Sequence, residues 1–207
     1  MRFASMRNLD ISNGENVGVS LFVQGCPFHC KNCFNSDAWD FNGGKEWTEE
    51  TENKFLELIN RPYIKRVSIL GGEPLADQNL DGVLSLIKEI HQKYPRPQKS
   101  TSKIPRKMGA FENEKSDEIR LSFPEKTIWL YTGFTFEKLL FPLLINQLPT
   151  PEEDKRIEII RSIDVLIDGE YIDEQRDVTL KWRGSTNQRV IDVQKSLAER
   201  KVILYCD

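Results

Sequence analysis

Three of the four cysteines lie close together in Gly25-Cys26-Pro27-Phe28-His29-Cys30-Lys31-Asn32-Cys33-Phe34-Asn35. The spacing is C-x3-C-x2-C. In a reducing compartment such clustering points to metal binding or catalysis rather than disulfides. Three thiolates on one short loop can hold three irons of a cubane and leave the fourth iron without a protein ligand. An open coordination position is what a metal needs in order to bind and activate a substrate, beyond carrying electrons. Zinc is the competing reading. It wants four ligands, commonly two C-x2-C pairs, and the chain has no second pair. His29 or Cys206 would have to complete the set. A ferredoxin-like electron carrier would also want a fourth cysteine. His29 reads more simply as a loop residue, and Cys206 as a spare thiol at the end of a strand.

Something must hold that loop, and the chain alternates strand-like and helix-like runs around it. Residues 17–23 read as a strand leading into the cysteines. Thr48 can cap a helix beginning Glu49-Glu50, with Phe55, Leu56 and Ile59 on its apolar face. Residues 67–70 read as a buried strand ended by Gly71-Gly72. Leu80, Val83, Leu84, Ile87 and Ile90 then follow helical spacing. Residues 127–131 form a third strand before Thr132-Gly133, and a helix is expected over 136–144. Thr150-Pro151-Glu152-Glu153 supplies a cap, a proline at N1 and a capping-box glutamate. That helix leads to a strand at 165–167, closed by Asp168-Gly169. A last helix is expected over 190–200 and a last strand over 202–205. Alternation of this kind means βαβ units and a mainly parallel sheet. Sites in such sheets gather beyond the carboxyl ends of the strands. The cysteine loop, Gly71-Gly72-Glu73-Pro74, Thr132-Gly133 and Asp168-Gly169 all follow expected strands, so the four should meet at one rim.

The composition fits this picture. With 39% hydrophobic and 29% charged residues, the 207-residue chain reads as one globular domain with a real core. A net charge of −3 gives no basic field to draw it to nucleic acid. The longest apolar run, residues 139–145, is far short of a membrane span and is broken by Pro142. The first seven residues have no apolar core of a secretory leader, so the cytoplasm is the expected compartment. Residues 95–126 break the pattern: they are polar and proline-containing, with a basic run at 93–107. They read as a solvated insertion in a single domain spanning 1–207, the alternative being a basic arm for a partner.

With these motifs in order, the chain resembles the radical S-adenosylmethionine (SAM) superfamily. Within it, the chain is most similar to the anaerobic ribonucleoside-triphosphate reductase activating proteins. The resemblance rests on Asn13-Gly14, Gly25-Cys26-Pro27, Cys33-Phe34-Asn35, Trp39, Gly43-Gly44-Lys45 and Gly71-Gly72-Glu73-Pro74-Leu75. It continues through Tyr131-Thr132-Gly133, Asp164-Val165-Leu166-Ile167-Asp168-Gly169 and Arg183-Gly184-Ser185-Thr186-Asn187-Gln188-Arg189. Asn32 stands where many superfamily members have an aromatic, which here follows the third cysteine as Phe34. The basic insertion is not expected in this family.

The resemblance implies an α/β fold of the partial, incomplete β/α barrel type. It implies that Cys26, Cys30 and Cys33 hold a [4Fe–4S] cluster and that SAM binds its open iron through amino and carboxylate groups. One electron, from a flavodoxin-like or similar donor, would then release methionine and a 5′-deoxyadenosyl radical. The partner would be a large glycyl radical enzyme, the anaerobic ribonucleotide reductase, which the radical would attack at a glycine Cα–H. Gly71, Gly72, Glu73 and Pro74 would receive the methionine moiety, the glycines because a Cβ would obstruct close approach. Asn32, Cys33 and Phe34 would face the adenosine, with Phe34 as a core aromatic the alternative. Asn187 and Gln188 would hydrogen-bond SAM or shape the rim, and Asp168 would orient ribose or a cation or simply end a strand. The alternatives are an activase of the pyruvate formate-lyase type, a radical SAM enzyme for a small molecule, and a non-catalytic metal-stapled interaction module.

Overall fold

The computed structural model describes residues 1–96, 126–145 and 147–206. Its framework is a seven-stranded sheet, built from β1 (Arg2–Asp10), β2 (Gly18–Val23), β3 (Lys45–Glu46), β4 (Arg66–Gly71), β5 (Thr127–Tyr131), β6 (Val165–Asp168) and β7 (Arg189–Asp192) in the order β3-β1-β2-β4-β5-β6-β7. The four central strands, β2, β4, β5 and β6, run parallel. β1 flanks them antiparallel to β2, with β3 antiparallel to β1 beyond it, and β7 flanks the other end antiparallel to β6. The sheet is open, with β3 and β7 as its two edges.

Among the described residues, five α-helices accompany the strands: α1 (Glu49–Ile59), α2 (Asp77–Lys93), α3 (Phe136–Leu144), α4 (Pro151–Ser162) and, after the last strand, α5 (Val193–Glu199). All but α2 start at a side-chain cap. Thr48 accepts from the N–H of Thr51, Thr135 from that of Lys138, and Thr150 and Glu153 close a reciprocal capping box ahead of Pro151.

Alternation along each strand divides the core. Ile128 and Leu130 of β5 and Leu166 of β6 face the helices, in the main cluster with Val83, Ile87 and Ile160. Trp129 of β5 and Val165 and Ile167 of β6 face the other way, into a smaller cluster with Val190. On that second side a buried ion pair fastens the sheet. Arg66 and Asp10, 0% and 1% exposed, meet at 3.0 Å. Arg66 also donates to the carbonyls of Asp10, Glu15 and Asn16. Asp10 in turn accepts from Ser12, Asn13 and Ser20. The pair thereby fixes the β1–β2 connection, and the Ser68 hydroxyl adds a bond to the Asn13 carbonyl at 2.6 Å.

Two expectations need correction at the C-terminal end. Arg189–Asp192 is not the first turn of a helix but strand β7, antiparallel to β6. The helix begins only at Val193, where Asp192 caps it by accepting from the Lys195 N–H at 3.0 Å. The β-branched pair Val190-Ile191 fits a pleated surface better than a helix. Residues 202–205 do not form a full strand: a single bridge joins Leu204 to Ile191. The first strand, β1, had no clear signal, because Phe3 and Asp10 alone among its residues are buried. Most of the basic insertion, residues 97–125, lies outside the described residues.

Candidate active site

A cavity of about 580 Å3 lies beyond the carboxyl ends of the parallel strands, a volume suited to a small-molecule ligand. Four loops meet there, as their shared position after strands predicts. Cys26, Cys30 and Cys33 line it together with Phe34, Gly71, Gly72, Glu73, Thr132, Gly133, Gly169 and Gln188. Phe22, Leu70 and Tyr131, at or near the ends of their strands, also line it. The Tyr131 hydroxyl is buried without a hydrogen-bond partner.

The cysteine loop is stitched at its base. Gly25 and Cys26 donate through backbone N–H to the carbonyls of Ala38 and Trp39, at 2.8 and 3.0 Å. The buried Gln24 amide donates to the carbonyls of Asp37 and Asp40. His29 stacks on Trp39 at 4.9 Å between ring centres, and Phe28 meets Phe134 edge-on at 5.0 Å. His29 is therefore held as a loop residue against an aromatic.

The Gly71–Pro74 turn sits directly on this loop. Gly72 N–H donates to Val23 O at 2.9 Å, and Glu73 N–H to Gly25 O at 2.7 Å. A Cβ on Gly72 would come within 2.3 Å of the Gly25 oxygen, and one on Gly71, at φ +109°, within 2.8 Å of Phe22 backbone. The close approach that demands glycine here is therefore to the protein's own backbone. Glu73, 1% exposed, ties this turn to the next. Its carboxylate accepts from Leu75 N–H, Gly133 N–H and the Thr132 hydroxyl at 2.8–2.9 Å. Burial pushes its pKa up to about 7 in spite of these bonds.

The remaining expected residues are placed unevenly. Gln188 reaches the cavity, but its amide is already engaged: Oε1 accepts from Gly184 and Ser185 N–H, and Nε2 donates to Gly169 O. Asn187 lies outside the lining and donates to Glu170 O at 2.8 Å, its Oδ1 buried without a partner. Asp168 is 1% exposed. It is held by two bonds from Arg189 and one from Phe136 N–H, so its carboxylate serves the strand end and the start of α3. Asn32 and Pro74 do not line the cavity. Asn32 faces outward and donates to Asp173 at 2.7 Å. Other lining residues carry no motif: Tyr171, Arg176, Val178 and Trp182 come from the stretch between Gly169 and Gly184. The one available signal was position, since Tyr171 falls two residues past the Asp168-Gly169 strand end.

The chemistry of the donor set bears on what could bind. All four cysteines are free thiols. Cys206 is apart from the cavity and packs on the Trp129 cluster. Burial pushes the Cys26 thiol up to about 11 and raises Cys30 as well. A metal bound there must therefore displace protons. Among the described residues, no three His, Cys, Asp or Glu side chains converge on a point suited to one metal ion. Three thiols lining one cavity suit a cluster, whose irons sit at separate corners.

Comparison with known proteins gives a consistent result. Residues 12–104 and 113–191 match the family described as a 4Fe-4S single cluster domain, a span that includes all three clustered cysteines. The chain is 30% identical to the anaerobic ribonucleoside-triphosphate reductase-activating protein of Vibrio cholerae, over 91% of this chain and 96% of that protein. Proteins of the same name from Escherichia coli K12 and from Enterobacteria phage T4 are 28% and 29% identical over 92% of this chain, and 97% and 93% of their own.

Proposed function

Since the chain belongs to the family of anaerobic ribonucleoside-triphosphate reductase-activating proteins and carries a 4Fe-4S single cluster domain, we propose that it is a radical SAM activase that installs a glycyl radical on that reductase. The observation that carries this reading is the convergence of Cys26, Cys30 and Cys33, all unbridged, on one cavity at the carboxyl end of a parallel sheet. When bound, a reduced [4Fe–4S] cluster supplies the electron that splits SAM into methionine and a 5′-deoxyadenosyl radical, which takes hydrogen from a glycine Cα of the partner.

In this reading the three cysteines give up their protons to hold the cluster and leave one iron open for SAM. The Gly71–Glu73 turn offers backbone carbonyls at the adjacent wall for the methionine ammonium. Glu73 does not reach out to it; its carboxylate aligns Thr132-Gly133 with the turn. Phe34, 67% exposed, gives the adenosine an aromatic face at the mouth. Phe22, Leu70 and Tyr131 keep bulk water from the cavity floor. Gln188 and Asp168 act by holding backbone, their polar groups being engaged within the protein, and Asn187 does so through its Nδ2 bond to Glu170 O. We read the open sheet as an incomplete β/α barrel in one domain, its lateral opening admitting a protein loop. No helix among the described residues is long and apolar enough to cross a membrane; a cytoplasmic setting, with a flavodoxin-like electron donor, belongs to the same proposal.

The test is anaerobic reconstitution with iron and sulfide, followed by SAM cleavage and electron paramagnetic resonance on mixing with the anaerobic ribonucleotide reductase. A glycyl radical signal is expected. A signal with pyruvate formate-lyase and none with the ribonucleotide reductase would overturn the choice of partner.

A further inference from the structure

The stretch after β6 does more than line the cavity. Residues 169–177 form a strap that leaves the sheet at Gly169 and crosses to the cysteine loop, some 140 positions earlier in the chain. At the far end of the crossing, Asp173 accepts from Asn32 Nδ2 at 2.7 Å and from the Tyr171 hydroxyl at 2.9 Å. The Tyr171 ring meets Phe34 edge-on at 5.5 Å, and the Arg176 guanidinium lies over the same Phe34 at 5.3 Å. Lys31 pairs with Glu174 at 2.9 Å, a contact too exposed to matter much alone.

The strap is itself braced by residues 184–188. Besides the amide bonds of Asn187 and Gln188 to Glu170 and Gly169, the buried Ser185 hydroxyl accepts from Ile172 N–H at 3.2 Å. Thr186 N–H donates to Gln175 O at 2.9 Å. The Gly-Ser-Thr-Asn-Gln motif therefore reaches the cysteines at one remove, through the strap.

The cysteine loop needs such a restraint. Asn32, between Cys30 and Cys33, has a left-handed backbone at φ 56°, and so does His29 at φ 50°. Non-glycine residues keep that conformation where their surroundings hold them. His29 is held by its stack on Trp39, and Asn32 is held by Asp173.

We propose that the strap clasps the cluster-binding loop, with Asp173 and Tyr171 as positioning residues that set how firmly the cluster is kept. This rests on the cluster assignment made above. Asp173 works by fixing Asn32, and with it the spacing of Cys30 and Cys33. Tyr171 works through its hydroxyl, which holds the Asp173 carboxylate, and through its ring, which packs on Phe34 beside Cys33.

The test uses the full reconstituted chain under anaerobic conditions and reads the half-life of the four-iron cluster against a chelator. Asp173→Ala should shorten that half-life roughly tenfold, the low end for supports of metal ligands. Asp173→Asn keeps an acceptor for Asn32 and should restore most of it. Asn32→Gly removes the same bond from the other side while tolerating the left-handed backbone, and should reproduce the loss. The double variant should be no worse than Asp173→Ala alone. A wild-type half-life in both single variants, no rescue by Asp173→Asn, or losses that add in the double, would overturn the clasp and leave the cluster assignment standing. A wild-type chain that takes up no four-iron cluster would overturn both.

Discussion

Replacement of Cys26, Cys30 or Cys33 by alanine is expected to abolish SAM cleavage and weaken iron retention, while Cys206→Ala keeps both. Iron and sulfide analysis with a product assay for 5′-deoxyadenosine checks each. Glu73 gives a pH prediction with a definite sign. Its folded pKa of about 7 lies above the ordinary 4.5 of an unfolded glutamate. The folded chain therefore holds a proton that the unfolded chain has lost. This contribution to stability is intact below pH 4.5, falls by roughly 3 kcal/mol as pH rises to 7, and is flat beyond. Urea unfolding of the metal-free chain should show that slope, and Glu73→Gln should flatten it. Arg66→Ala leaves Asp10 as a buried charge without its partner and should cost about 3–5 kcal/mol in the same measurement. The cysteines were legible from sequence because C-x3-C-x2-C is local. The link from Asn32 to Asp173 was not, because only the folded sheet brings residues so distant in the chain together.

At the level of elements, caps and periodicity were informative wherever they coincided. Thr150, Pro151 and Glu153 announced α4, and Thr48 announced α1. Thr150→Ala should lower stability by about 1 kcal/mol, measurable as a shifted urea midpoint with unchanged slope. Reading failed where two elements abut without a break. Val190-Ile191 belongs to β7, yet it runs straight into α5, and only the Asp192 cap separates them. The apolar pattern of a short strand followed by a short helix imitates one longer helix. β1 was missed for a different reason: as a strand paired near the sheet's edge it buries too little to impose alternation.

For the molecule as a whole, the four-loop rim was deducible because parallel topology sends every strand's carboxyl end the same way. The open edges were not, since nothing local distinguishes β3 and β7 from strands that continue a barrel. Deleting residues 97–125 and joining the ends with a short glycine-serine linker is expected to leave cluster binding intact, as iron content and visible absorbance would show. The flanking residues are independently secured: Arg96 pairs with Asp164 at 3.1 Å, and Lys126 donates to the carbonyls of Arg61 and Ile64.

That same arrangement has a practical side. Lys126 leads into the amino end of β5, whereas the cavity opens past its carboxyl end at Tyr131. A dye, an affinity handle or a sensor-chip tether joined directly to Lys126 in the shortened chain would thus attach at the pole facing away from the mouth. Docking of a large reductase could then be followed on an immobilised chain with its entrance unshaded.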